Sequence, residues 1–131
     1  MKKGFTLLEL LAIIILLAII ALIITPITID VIKDAKKQVE LSSVKGLIDS
    51  AGVYYNDASF DSTKMSNLDG KTNILDKIET KGDKPSSGTI YLNQDGEVSI
   101  AVVYNETCYS KSFGDKNILE SNDIDNCNIY K

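Results

Sequence analysis

With 131 residues the chain has room for one domain, and its 44% hydrophobic content is ordinary only on average. The net charge is −4, and −6 over the 12 lysines and 18 acids that remain when Lys2 and Lys3 are set aside; such a chain repels phosphate backbones, and no direct nucleic-acid binding is expected. There is no His, Trp or Arg, so the commonest general base and transition-metal ligand is missing, and neither enzymatic activity nor a cofactor is expected.

Met1-Lys2-Lys3-Gly4 is a short basic head. From Phe5 to Ile24 only Thr6 and Glu9 interrupt an apolar run of 20 residues, enough to cross about 30 Å of hydrocarbon as a helix. The positive-inside rule keeps the head cytoplasmic and puts the chain beyond Ile24 outside. A secretory signal has an apolar region of roughly 7–15 residues followed by a small-residue cleavage site. Here Thr25-Pro26-Ile27-Thr28 follows without that pattern, so the span is expected to stay in the mature chain. Glu9 is its only formal charge. A carboxylate at mid-bilayer depth costs roughly 2.5–3.5 kcal/mol on insertion scales, and less near the edge where Glu9 lies. Either Glu9 snorkels to the headgroups, or it is a counter-charge for a cation inside an apolar bundle.

Pro26 lacks an N–H and is expected to kink or loosen the helix one turn back. Helical periodicity continues beyond it through Ile32, Ala35, Val39, Val44, Leu47, Ile48, Ala51 and Tyr54 or Tyr55, with lysines and acids on other faces. The helix is expected to end near Asn56. Some 50 residues make a rod on the order of 75 Å, so its second half must pack on something soluble. Gly46 and Gly52 weaken that half by up to about 1 kcal/mol each relative to Ala; either they allow close approach of a sheet or they are tolerated.

Residues 57–88 read as a connector with turns at Asp69-Gly70, Lys81-Gly82-Asp83 and Pro85-Ser86-Ser87-Gly88, and with a short helix from about Thr72 to Glu79. Strands are expected at Thr89–Leu92 and Glu97–Tyr104 around the turn Asn93-Gln94-Asp95-Gly96, and a third at Thr107–Phe113. Val98, Ile100, Val102 and Tyr104 alternate and are expected to face the helix. The fold class is therefore α+β, with a long N-terminal helix packed on a small antiparallel meander. The two cysteines, Cys108 and Cys127, suggest a disulfide in an oxidising compartment; two unpaired thiols are the other reading, since spacing does not establish geometry. A bridge would close a loop of about 20 residues, contribute on the order of 3 kcal/mol, and tie down a polar tail that is otherwise loose.

The opening Lys2-Lys3-Gly4-Phe5-Thr6-Leu7-Leu8-Glu9 resembles the class III prepilin signal of type IV pilins and pseudopilins. Gly4-Phe5 matches the junction that a prepilin peptidase cuts. Glu9 falls fifth from Phe5, where that family carries its glutamate, and Pro26 falls twenty-second, where many members carry a proline. The match covers about the first 30 residues. It implies a leader at 1–4, a transmembrane and filament-core helix at 5–30, and a soluble pilin-like domain at 31–131. It also implies N-methylation of Phe5 after cleavage, and pairing of Glu9 with the new amine of a neighbouring subunit. The implied partners are other pilins, a prepilin peptidase, an assembly platform with its ATPase, and membrane lipid before assembly. Pro26, with Thr25 and Thr28, either lets the span partly unwind in a filament or is a kink with no assembly role.

The same resemblance leaves open a pseudopilin of a secretion or DNA-uptake machine. A membrane-tethered binding module that never polymerises is the rival from another class. Some pseudopilins bind calcium in a C-terminal loop. In Asn122-Asp123-Ile124-Asp125-Asn126 the oxygens are present, but the Gly and distal Glu of an EF-hand loop are not. Asp123 and Asp125 are a calcium candidate, an ordinary solvated loop is the alternative, and no metal is expected.

Overall fold

The computed structural model describes residues 4–128. Its elements are α1 (Leu7–Ser59), α2 (Ser62–Ser66), β1 (Ser87–Leu92), β2 (Val98–Tyr104), β3 (Thr107–Lys111) and β4 (Leu119–Ser121). The α+β class stands: one long helix precedes a four-stranded antiparallel sheet in the order β1-β2-β3-β4. The chain divides into two compact units, Met1–Gln38 and Val39–Lys131.

In the first unit α1 runs without a break through Pro26. The missing Pro26 N–H leaves the Leu22 carbonyl without its helical donor. Two hydroxyls bracket the site: Thr25 Oγ1 donates to the Ala21 carbonyl at 2.6 Å and Thr28 Oγ1 to that of Ile24 at 2.9 Å. Leucine, isoleucine and alanine fill this part of the helix, and all of it is exposed. It is long and apolar enough to cross a membrane.

The second unit is built on the stripe Val44, Leu47 and Ala51, spaced three and four apart and fully buried. These residues join Ile90 and Leu92 of β1, Val98, Ile100, Val102 and Tyr104 of β2, and Tyr109 of β3 in one core. The alternation read from β2 thus places its even-numbered residues on the helix. The odd set, Ser99, Ala101 and Val103, is buried as well. Val103 pairs with Cys108 across the strands, and cross-strand partners share a face. Cys108 therefore lies on the side away from α1. Its bridge to Cys127 brings the C-terminal segment to that face, so β2 is a strand with two covered sides.

The helix ends at Ser59, three residues past the expected stop. Its last turn tightens: the N–H of Asp61 donates to the Ala58 carbonyl at 3.0 Å. Asp61 then caps α2 by accepting from the Thr63 and Lys64 N–H groups.

The helix expected at Thr72–Glu79 is not formed; that segment is a series of turns. The edge of β1 takes the groups a helix would have used. The Ile74 N–H donates to the Ile90 carbonyl at 2.9 Å, and Asn73 Oδ1 accepts the Ile90 N–H at 3.0 Å. Further along, the Gly70 N–H donates to the Leu92 carbonyl. Ile74 and Ile78 still reach the core. The periodic apolar residues were real, but they mark one covered edge and not a helix.

Two glycines sit at close approaches, and only Gly88 is required by one. A Cβ on Gly88 would stand 2.4 Å from the Ala101 carbonyl oxygen, at φ 146°. One on Gly46 would stand 3.0 Å from the Lys81 carbonyl, so this glycine admits the connector and not the sheet. Gly52 has nothing within 4 Å of its missing Cβ and is tolerated.

Replacing Cys108 and Cys127 together by Ser should lower the stability of the second unit by about 3 kcal/mol, the chain-entropy value for a loop of this size. Denaturant melts of the full chain in detergent, read by tyrosine fluorescence, check this.

Candidate functional site

The start of α1 gathers the residues that the sequence singles out. Thr6 and Glu9 form a reciprocal capping box. The Thr6 N–H donates to Glu9 Oε2 at 3.0 Å, and the Glu9 N–H donates to Thr6 Oγ1 at 3.2 Å. Two donors that a helix start leaves free are satisfied this way. The first helical bond, from the Leu10 N–H to the Thr6 carbonyl, follows at 3.2 Å. Glu9 also places negative charge at the positive end of the helix dipole. Thr6-Leu7-Leu8-Glu9 is a T-x-x-E sequence, the pattern that signals such a box, so Glu9 is a cap as well as a charge.

Gly4, Phe5, Thr6 and Glu9 line one open recess. Phe5 is 83% exposed, so the Gly4-Phe5 peptide is sterically open to an enzyme. Lys2 and Lys3 lie outside the described residues. Pro26, five and a half turns along, is separate from this group. What the recess offers is a carboxylate held one turn from a peptide bond, on an apolar helix. Cleaving that bond would create a cation beside a ready anion.

A second site lies in the disulfide loop. Cys108 and Cys127 are bridged with Cα atoms 5.6 Å apart. Cys127 closes a turn through its N–H to the Ile124 carbonyl at 3.1 Å. The calcium candidate Asp123 directs its carboxylate to Asn126, accepting from its backbone N–H at 3.3 Å and from Nδ2 at 2.7 Å. Asp125 is exposed in the same turn. Asp123 and Asp125 are the two carboxylates of this turn, and among the described residues no three His, Cys, Asp or Glu converge. The loop instead borders a recess with Cys108, Ser110, Lys111 and Ser121.

One cluster escaped sequence reading altogether. Glu40 Oε2 accepts the Tyr109 hydroxyl at 2.6 Å, and Oε1 accepts Asn105 Nδ2. These partners are 65 and 69 residues away in the chain. Asn105 sits in the β2–β3 turn at φ 53°, a conformation asparagine tolerates. Tyr104 meets Tyr109 edge to face at 6.2 Å and donates to the Asp83 carbonyl at 2.8 Å. Burial, then the charge of Asp83, pushes the Tyr104 phenol up to about 12. Burial, then the hydrogen bond to Glu40, raises Tyr109 further. This cluster fastens α1 to the sheet and has no evident chemistry of its own.

Both phenols stay protonated in the fold at a pH where unfolded tyrosine, with a pKa of about 10, ionises. Their contribution to stability is therefore complete below pH 10 and declines as pH rises above it, through about 12 for Tyr104 and beyond that for Tyr109. Tyr109→Phe should cost about 1.5–3 kcal/mol at neutral pH, the value of a hydrogen bond to a charged group, and should flatten that alkaline decline. Denaturant melts between pH 7 and 12, with tyrosinate absorbance recorded in parallel, check both.

No protein-family model, no curated protein and no solved structure matches this chain.

Proposed function

We propose that this chain is a structural subunit of a type IV pilus-like filament, held in the membrane as a single-pass protein and processed between Gly4 and Phe5 before assembly. The observation that carries the reading is a conjunction at one helix end. An exposed Gly4-Phe5 junction and the lone carboxylate Glu9 share one recess. They begin a helix that, past Glu9, is uncharged and exposed all the way round through Ile29. A helix apolar on every side is meant for lipid or for other helices, and a filament core supplies the second. A generic anchor needs the hydrophobicity but not the junction, Glu9 and Pro26 at these offsets.

Polymerisation through this helix needs register. Glu9 supplies it by pairing with the amine, methylated in the family, that cleavage leaves on Phe5 of a neighbour. A slipped neighbour would leave both charges unpaired in an apolar bundle. The prepilin peptidase, the assembly platform and its ATPase are the partners this requires, and the chain itself has no catalytic role in it.

Orientation is supported less by lysine counting than the basic head suggests. Two lysines and the α-amine precede the span, but Lys33, Lys36 and Lys37 follow within about 20 residues of it, so the bias is nearly balanced. The Cys108–Cys127 bridge is the better support for an exterior domain, because disulfides persist in oxidising compartments.

Mass spectrometry of the mature chain should find Phe5 at its N-terminus; a chain beginning at Met1, or beyond Ile24, would sink the reading. Glu9→Val should leave insertion and cleavage intact while filament yield falls by one or more orders of magnitude, because an uncompensated buried charge costs several kcal/mol. Counting sheared filaments against membrane-resident processed subunit separates the two pools. Normal filaments in normal amounts would remove the register role.

A further inference from the structure

The uncharged stretch of α1 is not centred where the apolar run begins. Between Glu9 and Asp30 lie 20 residues without a formal charge, Leu10 to Ile29, and as a helix they span about 30 Å, the thickness of the hydrocarbon layer. Just past them stand Lys33, Lys36 and Lys37. Their three- and four-residue spacing puts the ammonium groups on one helix face. All three are exposed. Asp30 and Asp34 occupy the same turns, yet the single ion pair within 4 Å among the described residues is Lys64–Asp57. Glu40, the next acid along the chain, spends both oxygens on Asn105 and Tyr109. Three unpaired cations thus cluster in an otherwise acidic protein.

Their depth can be worked out from helix geometry. With Leu10–Ile29 in hydrocarbon, the Cα of Lys33 stands about 6 Å beyond the apolar boundary and that of Lys37 about 12 Å. Helical side chains lean toward the N-terminus, which here is toward the bilayer. Their long apolar stems let the ammonium groups snorkel to the interface. The headgroup layer on each side is roughly 5–7 Å deep, so the charges arrive where lipid phosphates are.

We propose that Lys33, Lys36 and Lys37 form a docking face for the phosphate groups of anionic phospholipids, and that this contact sets the depth of the span. The inference rests on the membrane-spanning part of the functional reading and not on filament formation. It has a consequence at the other end. In this register Glu9 lies in the opposite headgroup layer and not in hydrocarbon. The Gly4-Phe5 junction then stands about 7 Å clear of the apolar layer, where an enzyme can reach it.

The test uses the full-length chain reconstituted in phosphatidylcholine vesicles containing spin-labelled phosphatidylglycerol or spin-labelled phosphatidylcholine. The fraction of each lipid immobilised by the protein gives their relative association. At low salt the wild type should prefer the anionic lipid by about fivefold for each lysine engaged, and the preference should shrink as ionic strength rises. The combined Lys33→Gln, Lys36→Gln and Lys37→Gln variant should lose most of that preference, about fivefold for each lysine engaged. Lys2→Gln with Lys3→Gln should retain most of the wild-type preference. The inference is overturned if the triple variant keeps the wild-type preference, or if the Lys2 and Lys3 pair carries it. It is overturned equally if inorganic phosphate abolishes the preference where chloride of the same ionic strength does not, since the face would then take free phosphate. A wild-type chain that immobilises both lipids alike overturns the inference and leaves the membrane reading standing. A chain that immobilises neither overturns both.

Discussion

Burial of Val44, Leu47 and Ala51 against Ile100 and Val102 is the contact on which the second unit depends. Each partner is useless without the other. A helix with one apolar stripe cannot hold it in water, and a four-stranded sheet with an apolar face needs a lid. The remaining devices protect this joint. Glu40 reaches across to Tyr109 and Asn105 at one end. Tyr55 donates to the Gln94 carbonyl at 3.1 Å at the other. The disulfide closes the opposite side of β2. Removing Leu47 beyond Cβ would cost about 2–5 kcal/mol, a large share of what a domain of this size has to spare.

The same helix is written in two grammars. Between Glu9 and Asp30 it carries no charge and is exposed on all sides; from Val44 onward its apolar residues form one buried stripe. The first pattern suits a medium without water and the second an interface between water and a core. The lysines and acids at 30–37 mark the change. Because the backbone bonds of a helix are internal, one continuous element can pass from one medium to the other with its peptide groups paired, apart from the Leu22 carbonyl opposite Pro26. The Thr6–Glu9 box does the same for the end of the helix, where the free N–H groups would otherwise need water.

Much of this was legible because it is periodic. The β2 alternation, the helix stripe from Val44 to Ala51 and the Asn93–Gly96 turn each repeat a local rule and took their expected places, whereas Ile32, Ala35 and Val39, on the same periodicity, are exposed. Elements whose cause lies elsewhere in the chain were not legible. Residues 72–79 have helical spacing, but the unsatisfied edge of β1 claims Asn73 and Ile74. Strand β4, with three exposed residues, has no pattern to read and exists because β3 offers an edge. Helix α2 is one turn, capped by Asp61 at its start and Asn67 at its end. The Glu40 cluster joins residues too distant in sequence for any window. At the N-terminal site the residues were legible and their mutual hydrogen bonds only partly so: Glu9 stood out as a charge and turned out also to be a cap.

The covered flank of β1 bears on how copies of this domain can meet. An open strand edge is a template for indiscriminate growth, since any extended peptide can add to it. Here the connector occupies one edge through Gly70, Asn73 and Ile74, and the other edge is the three-residue β4. Sheet extension from copy to copy has almost no purchase. Domains crowded at high local concentration would remain separate folded units, and any array built from them could be taken apart again without unfolding its members.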